Sequence, residues 1–408
     1  MEGFFSKKET ESISRVGGKP ATCVSCGLYK NAKCPRMPVA GEGLRKILII
    51  AERISEEDDY AERLFSDAAG KWFVHKLRGA GIDVWKDCFV TAACLCTTDK
   101  IPTYTEVANC RKRILQTIDK YKPQIIIPMG MTALYALIGH RWKKDFGDMT
   151  KWRGWVIPDQ ELRCWVAPFS SHHYLHAKRD QKQEMIVFQL DLARITGINL
   201  VNLLTTFRTY VEPEIIVLKD LSVLDDIDYG LTAFDYETTG IKPYTKGHRI
   251  ACAAIATAED KVYTFMMPKT KAERAPFLRY LQNEMIGKIA QNMKYEDIWS
   301  NVVLRTPVKG WEWDTMLATH MIDNRPGITS LKFQTYVQFG IIDYSSFTDF
   351  WFAAVNHKDS NSMNRVLELV ETEEGRAQLL EYCALDAVFE YKLAMQQMEL
   401  MNYNDLPF

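Results

Sequence analysis

Asp235 and Glu237 end a short apolar run in LTAFDYETTG, residues 231–240. Residues two apart on an extended strand point to one face. Two carboxylates on one face repel each other, and burial sharpens the conflict. A divalent cation resolves it, and hard oxygen ligands suit Mg²⁺ or Mn²⁺. A lone Asp-x-Glu at a strand exit is more often plain surface, so other segments must decide. Two do. NMKYE sets Asn292 and Glu296 four apart, and YCALD sets Tyr382 and Asp386 four apart. On helices, that spacing shares a face.

A second chemistry lies near the N-terminus. CVSCGLYKNAKC holds Cys23, Cys26 and Cys34, and seven of the ten cysteines fall within the first 110 residues. The opening MEGFFSKKET has no apolar leader, so an intracellular chain is expected, with thiols used for metal or packing rather than disulfides. A Cys-x-x-Cys pair there reads as a metal or cluster site, or as a redox pair. The redox reading wants a helix start after a βα turn, which the flanks do not offer.

The elements that must position these groups follow from the pattern. Lys46–Ala51, Phe89–Cys96, Gln124–Gly130 and Cys164–Pro168 read as buried strands. Helices are expected over Lys71–Gly79, Thr105–Tyr121 with Thr105 as N-cap, Thr132–Gly139, and from His172 to about Ile195. Alternating strands and helices imply a parallel sheet with ligands at the strands' carboxyl ends, where Glu52 and His172 fall. In the second half, Pro213–Leu224 reads as an edge strand and a helix. Arg249–Thr257 and Lys261–Met267 read as a hairpin and Lys288–Gln291 as a buried strand. Helices are expected from Asn292, from Trp313, and over Arg376–Met401. The three acidic motifs thus sit on strand, helix and helix.

The chain has 408 residues, 47% hydrophobic and 25% charged, with net charge −1. Its sequence pI is about 6.7. Two or three domains are expected. No global basic field advertises nucleic acid, so any such site must be local. Two local patches are candidates: His172, His173, His176, Lys178 and Arg179, and Lys242, Lys246, His248 and Arg249. No run of 18 apolar residues suggests a membrane span.

Residues 20–195 resemble the iron–sulfur (family 4-like) uracil-DNA glycosylases. Cys23 and Cys26 match the first cluster pair, and Cys96 and Cys110, with Pro102 and Glu106, the second. GEGLRKILIIAE and the acidic loop with Arg63, Phe65, Ala69 and Gly70 match the first active-site segment. The resemblance implies a [4Fe–4S] cluster on Cys23, Cys26, Cys96 and Cys110, with Cys94 a rival for Cys96 and a structural Zn²⁺ the alternative. It also implies contact of Glu52, Phe65 and His172 with DNA. The chain departs from the family around that site. Ala51-Glu52-Arg53-Ile54-Ser55 lacks the loop's proline and second glycine. The uracil-reading Asn is Ala92 by one register or Val90 by the other, and the family's His-Pro is His172–His173. A degenerate uracil pocket is expected.

Residues 210–400 resemble the 3′–5′ proofreading exonuclease domain of family A DNA polymerases, in the tyrosine subclass of the DEDD enzymes. WDTMLATHMIDNRPGITSLKFQTYVQFG adds to this and has a bacteriophage character. The resemblance implies a ribonuclease-H-like fold. It also implies two Mg²⁺ or Mn²⁺ ions held by Asp235, Glu237 and Asp386, with Glu296 in support. Tyr382 would orient the attacking water, and Asn292 would hold the 3′-terminal nucleotide or the helix start. Glu296 stands where the family has Asp. Asp297 would face about 100° away on a helix.

The expected protein is therefore α/β throughout. A parallel-sheet glycosylase-like domain over 1–203 precedes a ribonuclease-H-like exonuclease domain over 204–408. Its expected function is metal-dependent 3′–5′ exonuclease action on DNA, at single-stranded or frayed 3′ ends, in a bacterial or phage-infected cytoplasm. The chain stops at Phe408, soon after the third motif, leaving no polymerase domain within it. A separate polymerase is a candidate partner. Two rivals stand: an active uracil-DNA glycosylase fused to an exonuclease, and a non-catalytic DNA-holding subunit of such a polymerase. RNA as substrate also stays open.

Overall fold

Five consecutive fully buried residues form β1 (Ile47–Ala51) in the computed structural model. The structure describes residues 15–16, 19–142, 144–196, 207–227, 230–342, 344, 348–356, 358–359 and 361–403. The polar stretch 1–14 and most of the expected connection, 197–206, lie outside them. The chain clusters into two units: Met1–Thr209 with Tyr336–Ile341, and Tyr210–Thr335 with Ile342–Phe408.

In the first unit, β1 pairs in parallel with β2 (Cys88–Ala92) and β3 (Ile125–Pro128). β4 (Ile157–Asp159) and β5 (Cys164–Val166) complete a sheet of order β2-β1-β3-β5-β4. β4 is antiparallel to β5. It escapes the sequence pattern because it is three residues long and carries Pro158. A strand buried on both faces reads as an unbroken apolar run, and β1 and β3 do.

Three expected boundaries move. The strand expected through Cys96 stops at Ala92, and the chain bends over 93–96. There the Leu95 carbonyl accepts the Met37 N–H at 2.8 Å and Cys96 Sγ the Arg36 N–H at 3.4 Å. The helix expected from Thr105 runs Tyr104–Tyr121 and is capped by Thr103, not Thr105. Glu106 returns to the Thr103 N–H at 2.7 Å, closing a capping box. The helix after β5 is two helices, His172–Ala177 and Lys182–Thr196.

The second unit contains β6 (Glu214–Val217), β7 (Gly230–Thr238), β8 (Ile250–Ala258), β9 (Lys261–Met266), β10 (Ile286–Ala290) and β11 (Trp311–Asp314), in the order β11-β10-β7-β8-β9-β6. β7, β8 and β9 are antiparallel, whereas β10 runs parallel to β7 and β11. This mixed sheet is the ribonuclease-H-like arrangement expected. β11 was not: Trp313 and Asp314 end a strand, and Asp314 caps the helix Thr315–Ile322 through the N–H groups of Met316 and Leu317.

The helix Glu373–Leu400 packs on this sheet. Small side chains make the close approach possible: Ala233, Ala251, Ala254 and Ala256 on the strands meet Ala384, Ala387 and Ala394 on the helix. Leu379, Leu380, Cys383 and Val388 fill the same core. Each large buried side chain contributes about 1.5–3 kcal/mol. The alanines contribute little area but set the helix depth. That depth decides where Asp386 sits relative to Asp235.

Candidate active site

Asp235 pairs with Ala254 across the sheet and Glu237 with Cys252, so both carboxylates leave one face of β7. Asp386 comes from the helix above. One carboxylate oxygen from each of the three lies within 4.8 Å of the others. Burial, first, and the charge of Asp386 push the Asp235 carboxyl well above the usual range. Burial and the charge of Asp235 do the same to Glu237. The repulsion foreseen from the sequence is thus built into the fold. Three hard oxygen donors in that state fit Mg²⁺ or Mn²⁺.

Groups missed by sequence reading surround the triad. Lys332 bonds Asp386 Oδ1 and the Tyr344 hydroxyl, the latter at 2.8 Å. The Tyr344 hydroxyl donates to Asp386 Oδ1 at 2.6 Å. The Cys383 thiol donates to Asp235 Oδ2 at 3.6 Å. The Tyr382 ring lies under Lys332 Nζ, and burial raises its hydroxyl pKa well above that of free tyrosine. Its place one helical turn before Asp386 is as expected. Lys332 stands within the stretch 313–340 that carries the resemblance, but nothing there marked its role, and Tyr344 lies beyond that stretch.

Glu296 stands on the helix Lys294–Trp299, 3% exposed, and burial drives its pKa well up. Asn292 does not share its helical face. It precedes the helix with φ of 65°. The Asp314 carboxylate holds this turn, accepting the N–H of Asn292 at 3.2 Å and of Met293 at 3.0 Å. Asp297 turns away, accepting from Trp311 Nε1 at 3.3 Å and from Asn301.

In the first unit, Glu52 follows β1. It accepts hydrogen bonds from the Ser171 hydroxyl and the Thr132 N–H, yet burial keeps its pKa raised. Gly130 lies beneath it, where a Cβ would fall 2.2 Å from the Glu52 carboxyl. His172 is fully buried, and neither ring nitrogen finds a hydrogen-bond partner among the described residues. Burial, then the charge of His173, lowers its pKa to about 3. Phe65, 2% exposed with φ of 60°, meets the His172 ring edge-on at 5.1 Å. His173 takes the place of the family's proline and bonds Asp67 at 2.9 Å. Val90 and Ala92 are both fully buried in the sheet core.

Cys23, Cys26, Cys96 and Cys110 line one small cavity with Leu28, Tyr29, Asn109 and Arg113. Cys94 is not in that lining but shares a hydrogen bond with the Cys110 thiol. Among the described residues no three thiols converge within 4.8 Å.

Both basic patches are smaller than the sequence suggested. His172 and His248 are buried, and His248 bonds the Asn361 carbonyl at 3.0 Å. Lys242, Lys246, Arg249 and Arg179 are exposed. No helix among the described residues is long and apolar enough to cross a membrane.

The profile of the Uracil DNA glycosylase superfamily matches residues 40–192, and through them the chain belongs to that superfamily. The Type-4 uracil-DNA glycosylase of Thermotoga maritima is 30% identical over 135 residues, covering 32% of this chain and 67% of that protein. That of Pyrobaculum aerophilum is 33% identical over 134 residues, covering 31% and 66%. The chain thus spans about two thirds of the length of these relatives. Among solved structures, NrnC of Brucella melitensis is similar at a TM-score of 0.34 and 14% identity, over 47% of this chain and 82% of that one. The catalytic core of RRP6 from Trypanosoma brucei is similar at 0.36 and 12%, over 48% and 50%. Likenesses this remote say nothing about what the chain does.

Proposed function

We propose that the chain is a divalent-cation-dependent 3′–5′ exonuclease on DNA, joined to a glycosylase-like unit that holds DNA and excises uracil poorly. The observation that carries the reading is the convergence of Asp235, Glu237 and Asp386 within 4.8 Å. Those three residues would hold the cations, with Glu296 in support. Bound there, the ions supply the Lewis acidity that activates water and offsets charge on a scissile phosphate.

The chain's own groups do the rest. Lys332 neutralises part of the triad's charge and fixes the side of Asp386 that its ammonium occupies. The Tyr382 hydroxyl, kept protonated by burial, can donate to or accept from the attacking water and so aim it. Asp314 fixes the turn that leads to Glu296. In the first unit, Cys23, Cys26, Cys96 and Cys110 would hold a [4Fe–4S] cluster.

The test is digestion of 5′-labelled single-stranded DNA and of matching RNA, in Mg²⁺ or Mn²⁺ and in chelator. Stepwise shortening from the 3′ end of DNA, abolished by chelator, is expected. Equal rates on RNA would move the substrate assignment, and cutting in chelator would overturn the metal reading.

A further inference from the structure

Three side chains of the first unit converge outside both the carboxylate centre and the thiol cavity. Asp67 caps the helix Ala68–Gly79, its Oδ1 accepting the Gly70 N–H at 2.6 Å. Its other oxygen, Oδ2, lies 2.9 Å from His173 Nε2. His172 and His173 open the helix His172–Ala177, which packs on Ala68–Gly79. The two imidazole rings lie with their centroids 4.0 Å apart. One ligand atom from each of Asp67, His172 and His173 lies within 4.8 Å of the other two.

The Asp67–His173 pair by itself needs no further group. His172 is what it leaves unexplained. That side chain is fully buried, and both its ring nitrogens lack a hydrogen-bond partner among the described residues. Buried polar groups are normally paired, because an orphan carries its full desolvation cost. Packing also holds the donors in place. The rings of Phe65 and Phe73 lie against His172 at 5.1 and 6.3 Å. A Cβ on Gly70 would fall 2.3 Å from Phe65 Cα, so the capped turn is seated directly on Phe65.

Two imidazole nitrogens and one carboxylate oxygen are a donor set for a borderline dication. Imidazole suits Zn²⁺ and its transition-metal neighbours, whereas Mg²⁺ and Ca²⁺ prefer oxygen ligands. The Asp67 and His173 side chains are 11% and 25% exposed, which gives an ion a way in. The second imidazole is this chain's own, since His173 stands where the related glycosylases have proline. We propose that Asp67, His172 and His173 form a binding site for a transition-metal dication of the Zn²⁺ class, with three protein donors and at least one coordination position left open. The site shares no residue with the carboxylate centre or the thiol cavity, so it stands or falls independently of them.

The experiment counts zinc on the full chain. The protein is stripped with chelator and dialysed against buffered Zn²⁺ in excess Mg²⁺, and bound zinc is measured by atomic emission. Zinc taken by the thiols or by the acidic triad is common to parent and variants and cancels in the comparison. The parent should hold one zinc more than His173→Ala or Asp67→Asn, each of which should weaken a single site at least tenfold and leave the others unchanged. Both side chains are partly exposed and Asn keeps the helix cap, so both variants should fold, with circular dichroism as the check. His172→Gln should lose the same zinc. Zn²⁺ should also raise the melting temperature of the parent more than that of any of the three variants. Equal zinc at equal affinity in the parent and His173→Ala overturns the proposal. So does a loss confined to His172→Gln, because a shared ion must respond to all three donors.

Discussion

Lys332 reaches Asp386 from between two tyrosine rings, its Nζ 4.0 Å from the centroid of Tyr344 and 4.2 Å from that of Tyr382. The lysine is mostly buried there, as is its partner. Lys332→Met keeps the length of the stem and removes the charge. It should destabilise the chelated protein by about 1–3 kcal/mol, because Asp386 loses its countercharge. In Mg²⁺ the loss should shrink. Urea unfolding in the two conditions checks this, and equal losses would mean the lysine does not serve the carboxylate centre.

Asp235 is one of the three carboxylates that converge within 4.8 Å. Asp235→Ala should lower exonuclease turnover by more than the roughly 10–100-fold typical of outer partners of a metal site. Removal of one repelling charge should leave the fold intact. Rates on a labelled 3′ end, with circular dichroism as control, give the answer. Parental rates would refute the site.

The cluster reading is tested by colour. Anaerobically purified protein should be brown, with broad visible absorbance that bleaches on reduction. Cys96→Ala should lose the colour and Cys94→Ala should retain it, because Cys96 lines the cavity and Cys94 does not. The reverse result reassigns the ligand. A colourless chain with one zinc points to a structural zinc.

Uracil excision should be slow. Discrimination built on paired hydrogen bonds is worth about 10⁴–10⁵-fold, and the strand offers only Val90 and Ala92. Alkali-labile sites in uracil-containing duplex DNA are the readout. Rapid formation, lost in Glu52→Ala, would show that the pocket reads uracil by other groups.

Asp67 gives a pH signature. Burial raises its pKa, but hydrogen bonds from His173 and the Gly70 N–H outweigh that and hold it at about 2, below the ordinary 3.8. A depressed carboxyl stabilises the folded state fully above its unfolded value, and that stabilisation fades as pH falls toward the folded value. Asp67→Asn keeps the helix cap and removes the charge. The melting gap between parent and variant should narrow as pH drops below about 4. A gap that widens in acid would refute the pair.

The strands and the acidic motifs were legible because burial and period leave strong marks. β1 is an unbroken apolar run, and Asp235 and Glu237 alternate with a buried Tyr236. The turn at Asn292 was not legible, because Asp314, twenty-two residues on, decides its backbone. Lys332 lay inside a recognised stretch, but its role was not legible because its partner is 54 residues away.

Gly130 has φ of 85°, and any side chain there would strike Glu52. This couples the mutational histories of two positions 78 residues apart. A larger residue at 130 is admissible only after the acid at 52 has shortened, and even then the left-handed backbone resists it. Arg53, which gives one hydrogen bond to the Thr98 carbonyl, carries no such mutual veto and can drift singly. In a library of variants selected only for folding, position 53 should diversify early. Positions 52 and 130 should change, when they change at all, as a pair and in that order.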